Sequence, residues 1–268
     1  MRRIVCALFL FVPFIAVAQQ SCDELVPKLL DASGTSGSLS RTSDSAQSLA
    51  DELLNREGSM PLEAKREIRD VLVHYVNVDR MTSNVKAKLR SSCDAAAYGE
   101  VLSQMQSPLG QKMLKMELGV DPERMKRFAA SFSMQSPRES RMRLIRALVS
   151  ETKAVDTWAD DEMIVMAHLL EAVRPEGVTK DQLSELREQF ISHAQPYAEA
   201  IAYYIYRPAS DEELEQYASM QDTKAYKRFN GDMAKAFAYS TSVEAGDLEV
   251  KLKKVVSEIR AKRAAEQP

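Results

Sequence analysis

Residues 179–206 read TKDQLSELREQFISHAQPYAEAIAYYIY. Leu183, Leu186, Phe190, Tyr197, Ile201 and Tyr204 return every three or four residues, the period that gathers side chains on one face of an α-helix. Thr179 followed by Gln182 is a capping box, in which each side chain satisfies a backbone N–H that the first turn leaves unpaired. Pro196 predicts a bend partway along. The same period recurs outward. Ala64, Ile68, Val71, Leu72 and Tyr75 form one stripe, and Leu102, Met105, Leu109, Met113 and Met116 another. Helix starts are marked by Asp121-Pro122, by Ser136-Pro137 with Glu139, and by Ser210 with Glu213. The sequence therefore predicts an all-α multi-helix bundle of about nine or ten helices and no sheet. Composition agrees: 9 Gly, 10 Pro and 7% aromatic residues are too few for the turns and strands of a sandwich or barrel. At 45% hydrophobic and 28% charged, the 268 residues are neither collagen-like nor wholly disordered.

The first segment reads as an address. Met1-Arg2-Arg3 precedes an apolar run from Ile4 to Val17, and Ala16-Val17-Ala18 is a small-x-small cleavage site. Residues 1–18 are thus expected to be a signal peptide, the mature chain starting at Gln19 in the periplasm or as a secreted protein. Gln19-Gln20-Ser21 before Cys22 is no lipobox, and no later stretch has the length and apolarity of a transmembrane helix. The formal charge of −3 becomes more acidic once Arg2 and Arg3 leave, which argues against general nucleic-acid binding. Cys6 would leave with the signal, and Cys22 and Cys93 remain as an even pair in an exported chain. We expect them to be bridged, closing a loop worth roughly 4 kcal/mol in the chain-entropy model; the alternative is two free thiols.

Residues 33–48, SGTSGSLSRTSDSAQS, form a Ser/Gly-rich linker after a short helix at 22–31, and Leu49, Leu53 and Leu54 suggest one more short helix. The expected organisation is a signal peptide at 1–18, an N-terminal helix and linker at 19–59, helical modules at 60–135 and 136–243, and a basic amphipathic helix at 244–268. The two modules are suggested by an offset of 115, at which EVLSQMQSPLGQK (Glu100 to Lys112) shares Glu, Met, Gln and Lys with EQYASMQDTKAYK (Glu215 to Lys227). Modules this small bury too little alone and should pack together.

Ser107-Pro108-Leu109-Gly110-Gln111-Lys112 resembles the S-P-x-G-x-K signature of the exported bacterial domain-of-unknown-function family two thousand and fifty-nine. Tyr203-Tyr204-Ile205-Tyr206 followed by Ser210-Asp211-Glu212-Glu213-Leu214 resembles that family's Tyr-bearing helix and E-E-L helix start. Each module keeps half of the pattern: Asp222 to Lys227 replaces the signature in the second, and Met105 stands where an aromatic is usual in the first. The resemblance implies two divergent copies in an all-α secreted or periplasmic protein and carries over no catalytic residues. From the residues alone, Ser107 caps a helix, Pro108 fits its first turn, and Gly110 permits close backbone approach.

No H-E-x-x-H, G-x-S-x-G or Cys/His nucleophile pattern occurs. His74 with Asp70 and Glu67, and His168 with Glu171, read as ordinary helix-surface pairs, and His193 as a hydrogen-bonded core histidine. Thirteen methionines are the compositional oddity. Met113-x-x-Met116 and Met163-x-x-Met166 have soft-metal spacing, but they fall on apolar faces and read as adaptable packing or a pliable groove. A binding groove is expected at the module seam, lined by Met105, Ser107, Gly110, Met113, Met116, Tyr203, Tyr204 and Tyr206. Residues 248–263 set Leu248, Leu252, Val255 and Ile259 against several Lys and Arg, a face for weak membrane-surface contact or for docking. The expected function is non-enzymatic binding of a protein, peptide or apolar ligand in the envelope, with no cofactor or metal. The alternative is an envelope hydrolase or metal-handling protein whose site the sequence does not display.

Overall fold

The structure, a computed structural model, describes residues 20–35, 62–132, 137–173 and 177–266. These residues form eleven α-helices and no strand, an all-α bundle. In order they are α1 (Cys22–Ala32), α2 (Leu62–Val73), α3 (Val78–Ser92), α4 (Ala95–Met105), α5 (Pro108–Leu118) and α6 (Pro122–Ser131). Then follow α7 (Glu139–Thr152), α8 (Ala154–Val173), α9 (Lys180–Tyr206), α10 (Asp211–Gln221) and α11 (Lys224–Glu266). The expected signal peptide at 1–18, most of the 33–48 linker, the Leu49–Leu54 segment and the Ser136 cap lie outside the described residues.

The helix starts follow capping chemistry. Asn77, Asp94 and Asp121 accept from first-turn N–H groups of α3, α4 and α6. Thr179 with Gln182 and Ser210 with Glu213 make both bonds of the capping box at α9 and α10. By contrast, α7 begins only at Glu139, with Arg138 at the cap position and no side-chain bond to its first turn. Its anchor lies elsewhere. Arg141 is buried, donates to the carbonyls of Tyr206 and Ala209 at 2.7 and 2.8 Å, and pairs with Asp211. One guanidinium thereby ties α7 to the corner between α9 and α10. Across the molecule, Glu244 of α11 is 2% exposed, yet it receives Arg80 through two bonds and the N–H of Asn77 through a third.

Three apolar clusters form the core. The first gathers α1, α3 and α4 through Leu25, Leu29, Val85, Leu89, Tyr98 and Val101, with Ala225, Tyr226 and Phe229 of α11. The second gathers α7, α9 and α10 through Ile145, Leu148, Ala202, Tyr206, Leu214 and Tyr217, with Met113 of α5. The third holds Leu72, Ala172, Leu248 and Leu252 where α2, α8 and α11 meet. Cys22 and Cys93 are bridged with Cα atoms 6.0 Å apart, so α1 is fastened to the α3–α4 connection. The helix assigned to a separate 19–59 segment is thus part of the first cluster.

The two short-turn helix pairs α4–α5 and α10–α11 correspond at a constant spacing of 116 residues, not the 115 of the sequence identities. Asp94 and Ser210 cap the first helices, which end at Met105 and Gln221, and the second helices begin at Pro108 and Lys224. The turns share their bonds. Ser107 Oγ accepts from Gly110 N and donates to Gln104 O; Thr223 Oγ1 accepts from Tyr226 N and donates to Met220 O. Buried Tyr98, Val101, Gly110 and Met113 match buried Leu214, Tyr217, Tyr226 and Phe229. Leu25, Val26 and Leu29 of α1 match Arg141, Met142 and Ile145 of α7 at the same spacing. The four identities at 115 involve mostly exposed positions, which the packing does not constrain.

The expected boundary at 243 is not a break. α11 runs for 43 residues, about 65 Å at 1.5 Å per residue. Of the apolar face expected at 248–263, Leu248 and Leu252 are buried against α2 and α8, while Val255 and Ile259 are half-buried. Among the described residues no helix is long and apolar enough to cross a membrane.

Gly110 is required by close approach. A Cβ there would lie 2.4 Å from the Gln104 carbonyl oxygen and 2.6 Å from that of Met105, whereas a Cβ at Gly99 in α4 meets nothing within 4 Å. Gly110→Ala is therefore expected to lower unfolding free energy by about 1–3 kcal/mol, while Gly99→Ala raises it by roughly 0.5–1 kcal/mol through helix propensity. Urea unfolding of the two variants checks this; equal effects at both positions would contradict it.

Candidate functional site

A cavity of about 700 Å³ opens where α5, α7, α8, α9, α10 and α11 converge. Its walls are mainly apolar, from Leu114 of α5, Leu148 of α7, Trp158 of α8, Ile201 and Ile205 of α9, and Phe237 of α11. Trp158, the only tryptophan of the chain, is 45% exposed and packs edge-on against Phe190 with ring centroids 5.1 Å apart.

Two carboxylates stand on this lining. Glu117 is four residues after Met113 on α5, and its Oε1 accepts from the hydroxyls of Tyr206 and Tyr217 at 2.6 and 2.9 Å. Burial raises the Glu117 pKa, and the two tyrosine bonds work against that rise. Burial, then the Glu117 charge, pushes Tyr206, Tyr217 and Tyr226 above the ordinary phenol value, so all three are neutral donors at pH 7. Glu117 Oε2 has no hydrogen-bond partner among the described residues. The second carboxylate, Asp161 of α8, has its Oδ1 buried with no partner among the described residues. Burial, and then the neighbouring Asp160, raise its pKa to about 6. Asp160 itself is engaged by Arg187 at 2.7 Å.

Of the residues expected in the groove, Met105, Gly110 and Tyr206 line the cavity. Ser107 is the α5 cap. Met113 is fully buried in the second cluster and Met116 packs against it, which makes both core residues. Tyr203 and Tyr204 meet the α6 aromatics: Phe128 lies 6.3 Å from Tyr203 and 5.0 Å from Tyr204, and Arg207 sits 4.1 Å over the Tyr204 ring. The cause is helical phase. Residues 198, 201, 202, 205 and 206 make the cavity face of α9, and 203 and 204 fall on the other side.

Glu117 and Asp161 were legible only as charges interrupting apolar stripes. Glu117 follows Met113 by four, and Asp161 stands three after Trp158 and four before the buried Val165. The histidines are elsewhere. His193 is exposed on Gln189 O rather than in the core, and His168 pairs with Glu249 of α11 at 2.6 Å rather than with Glu171. Among the described residues, no group of three or more His, Cys, Asp or Glu is placed to hold a metal ion. Compared with protein-family models, curated proteins and solved structures, the chain finds no match.

The Asp161 carboxyl gives a signed expectation. Its folded pKa of about 6 exceeds the ordinary 3.8, so between these values the native state binds the extra proton. Its contribution is most favourable below about pH 4 and is lost as pH rises through about 6. Asp161→Asn removes that loss. Its melting temperature is expected to match the parent near pH 3.5, to exceed it by a margin that grows between about pH 4 and 6, and to keep that margin up to pH 7.5. A margin independent of pH in paired thermal scans would contradict the assignment.

Proposed function

We propose that this chain is an exported, non-enzymatic helical binding protein whose cavity holds an apolar ligand. The single observation that carries the reading is the cavity. It has the size of a small-molecule site and mainly apolar walls, with only a few polar groups. Its dimensions suit a compact apolar ligand better than an extended peptide.

The reading includes two related helical modules, α1 with α3–α5 and α7 with α9–α11, and the constant 116-residue spacing of caps, turns and buried positions supports it. In this reading the signature resembling domain-of-unknown-function family two thousand and fifty-nine has a structural role. Ser107 caps, Gly110 admits the α4 carbonyls, Gln111 donates to Met105 O, and Lys112 pairs with Glu213 at the E-E-L helix start. Export is supported by the signal-like residues 1–18 and by the Cys22–Cys93 bridge, since structural disulfides persist in oxidising compartments.

Trp158 on the cavity wall supplies the test. Titration with 1-decanol, followed by Trp158 fluorescence, is expected to give a saturable blue shift and a raised melting temperature. The absence of both would contradict the proposal.

A further inference from the structure

The cavity lining is electrostatically one-sided. Among the described residues it carries two carboxylates, Glu117 and Asp161, and no Lys, Arg or His. Both carboxylates are short of partners in different ways. Glu117 Oε1 is fixed by two tyrosine hydroxyls while Oε2 carries no protein partner among the described residues. Asp161 has an oxygen buried with none, although Asp160 beside it is served by Arg187. A carboxylate taken from water without compensation is costly, and the compensating group has to be a donor or a cation. Besides the tyrosines, the other polar side chains of the described lining are uncharged: Asn230 donates to Gln221 Oε1, Ser33 and Thr35 bond each other, and Thr152 bonds its own helix at Val149 O, with Thr157 the remaining hydroxyl. A bound carboxylate or phosphate would meet two like charges with no cation among the described lining residues to neutralise it. An ammonium would find acceptors on this lining at Glu117 and Asp161, and an indole ring at Trp158, three residues before Asp161 on α8.

We propose that the ligand of this cavity is an amphipathic amine, its hydrocarbon body against the apolar walls and its ammonium group held by the Glu117 and Asp161 carboxylates. This rests on the cavity being a binding site, as argued above, and specifies what it selects. Glu117 is the oriented acceptor, because the two tyrosines leave its free oxygen a fixed direction. Tyr206 and Tyr217 are positioning residues that act through it. The chemistry selects a primary or secondary amine over an alcohol of equal length, and either over a fatty acid.

Three ten-carbon probes, decylamine, 1-decanol and decanoate, are titrated calorimetrically into the purified protein at pH 7, below their aggregation concentrations. Decylamine is expected to bind at least about tenfold more tightly than decanol, the value of one charge-assisted bond, and decanoate more weakly than either. Glu117→Gln and Asp161→Asn are each expected to reduce the amine advantage and together to abolish it, with decanol affinity retained as the check that the cavity is intact. Equal binding of amine and alcohol, or tighter binding of decanoate, would overturn the amine assignment while leaving the cavity a binding site. Failure of all three probes to bind would overturn both. The comparison of probes on the unaltered protein stands even where a variant fails to fold.

Discussion

Tyr226 and Phe229, in the first two turns of α11, are buried in the cluster built by α1, α3 and α4, while Met113, at the place in α5 that matches Phe229, is buried in the cluster built by α7, α9 and α10. Each cluster is therefore completed by a helix that the chain supplies from the other side. Side chains of this size contribute about 1.5–3 kcal/mol each by leaving water, so withdrawing either helix opens the opposite core. The exchange makes independent unfolding of the two halves costly, and it places α5 and α11 together on the walls of the central cavity. The two-residue turns at Gln106–Ser107 and Asp222–Thr223 set the direction in which those helices leave. At the first of them, only a residue without Cβ fits beneath the α4 carbonyls.

Polar anchoring follows the same logic of completion. Buried Glu244 is stabilised because Arg80 and a backbone N–H reach it, and buried Arg141 because it finds two carbonyls and Asp211. Burying such charges costs several kcal/mol unless they are matched, and here they are matched at two corners that fix α3 to α11 and α7 to α9–α10. Against this background Asp161 stands apart, a carboxylate with a buried oxygen unmatched among the described residues, on a cavity wall. A group that costs stability without serving the fold is the kind of residue that functional sites retain.

The helical class was legible in the sequence because period and caps are local: Thr179 with Gln182 and Ser210 with Glu213 mark starts that the structure reproduces bond for bond. The Cys22–Cys93 bridge was legible from parity and the expected compartment. What escaped was long-range. Identities at an offset of 115 masked the 116-residue spacing of caps and buried positions, because exposed Glu and Lys recur without constraint, whereas the buried pattern at 116 mixes Gly110 with Tyr226 and Met113 with Phe229. The continuity of α11 escaped although nothing within it breaks a helix sharply: Gly231 and Gly246 lower helix propensity but leave every backbone N–H in place. Tyr206 meets the cavity but Tyr203 and Tyr204 meet α6, because a stripe read from spacing does not say which of two adjacent faces each residue joins. Glu117 and Asp161 escaped because a lone acid on an apolar stripe gains its meaning only from the helices that close over it.

Interlocked helix pairs thus line an open, acid-bearing apolar cavity, which we propose as a ligand site. The most direct measurement is a crystal structure with 10-bromodecylamine, whose bromine marks the position of the hydrocarbon end by anomalous scattering. A single strong peak inside the cavity is predicted, with the amine end at the Glu117 and Asp161 carboxylates. Bromine found only on the outer surface, with the cavity free of probe density, would contradict it.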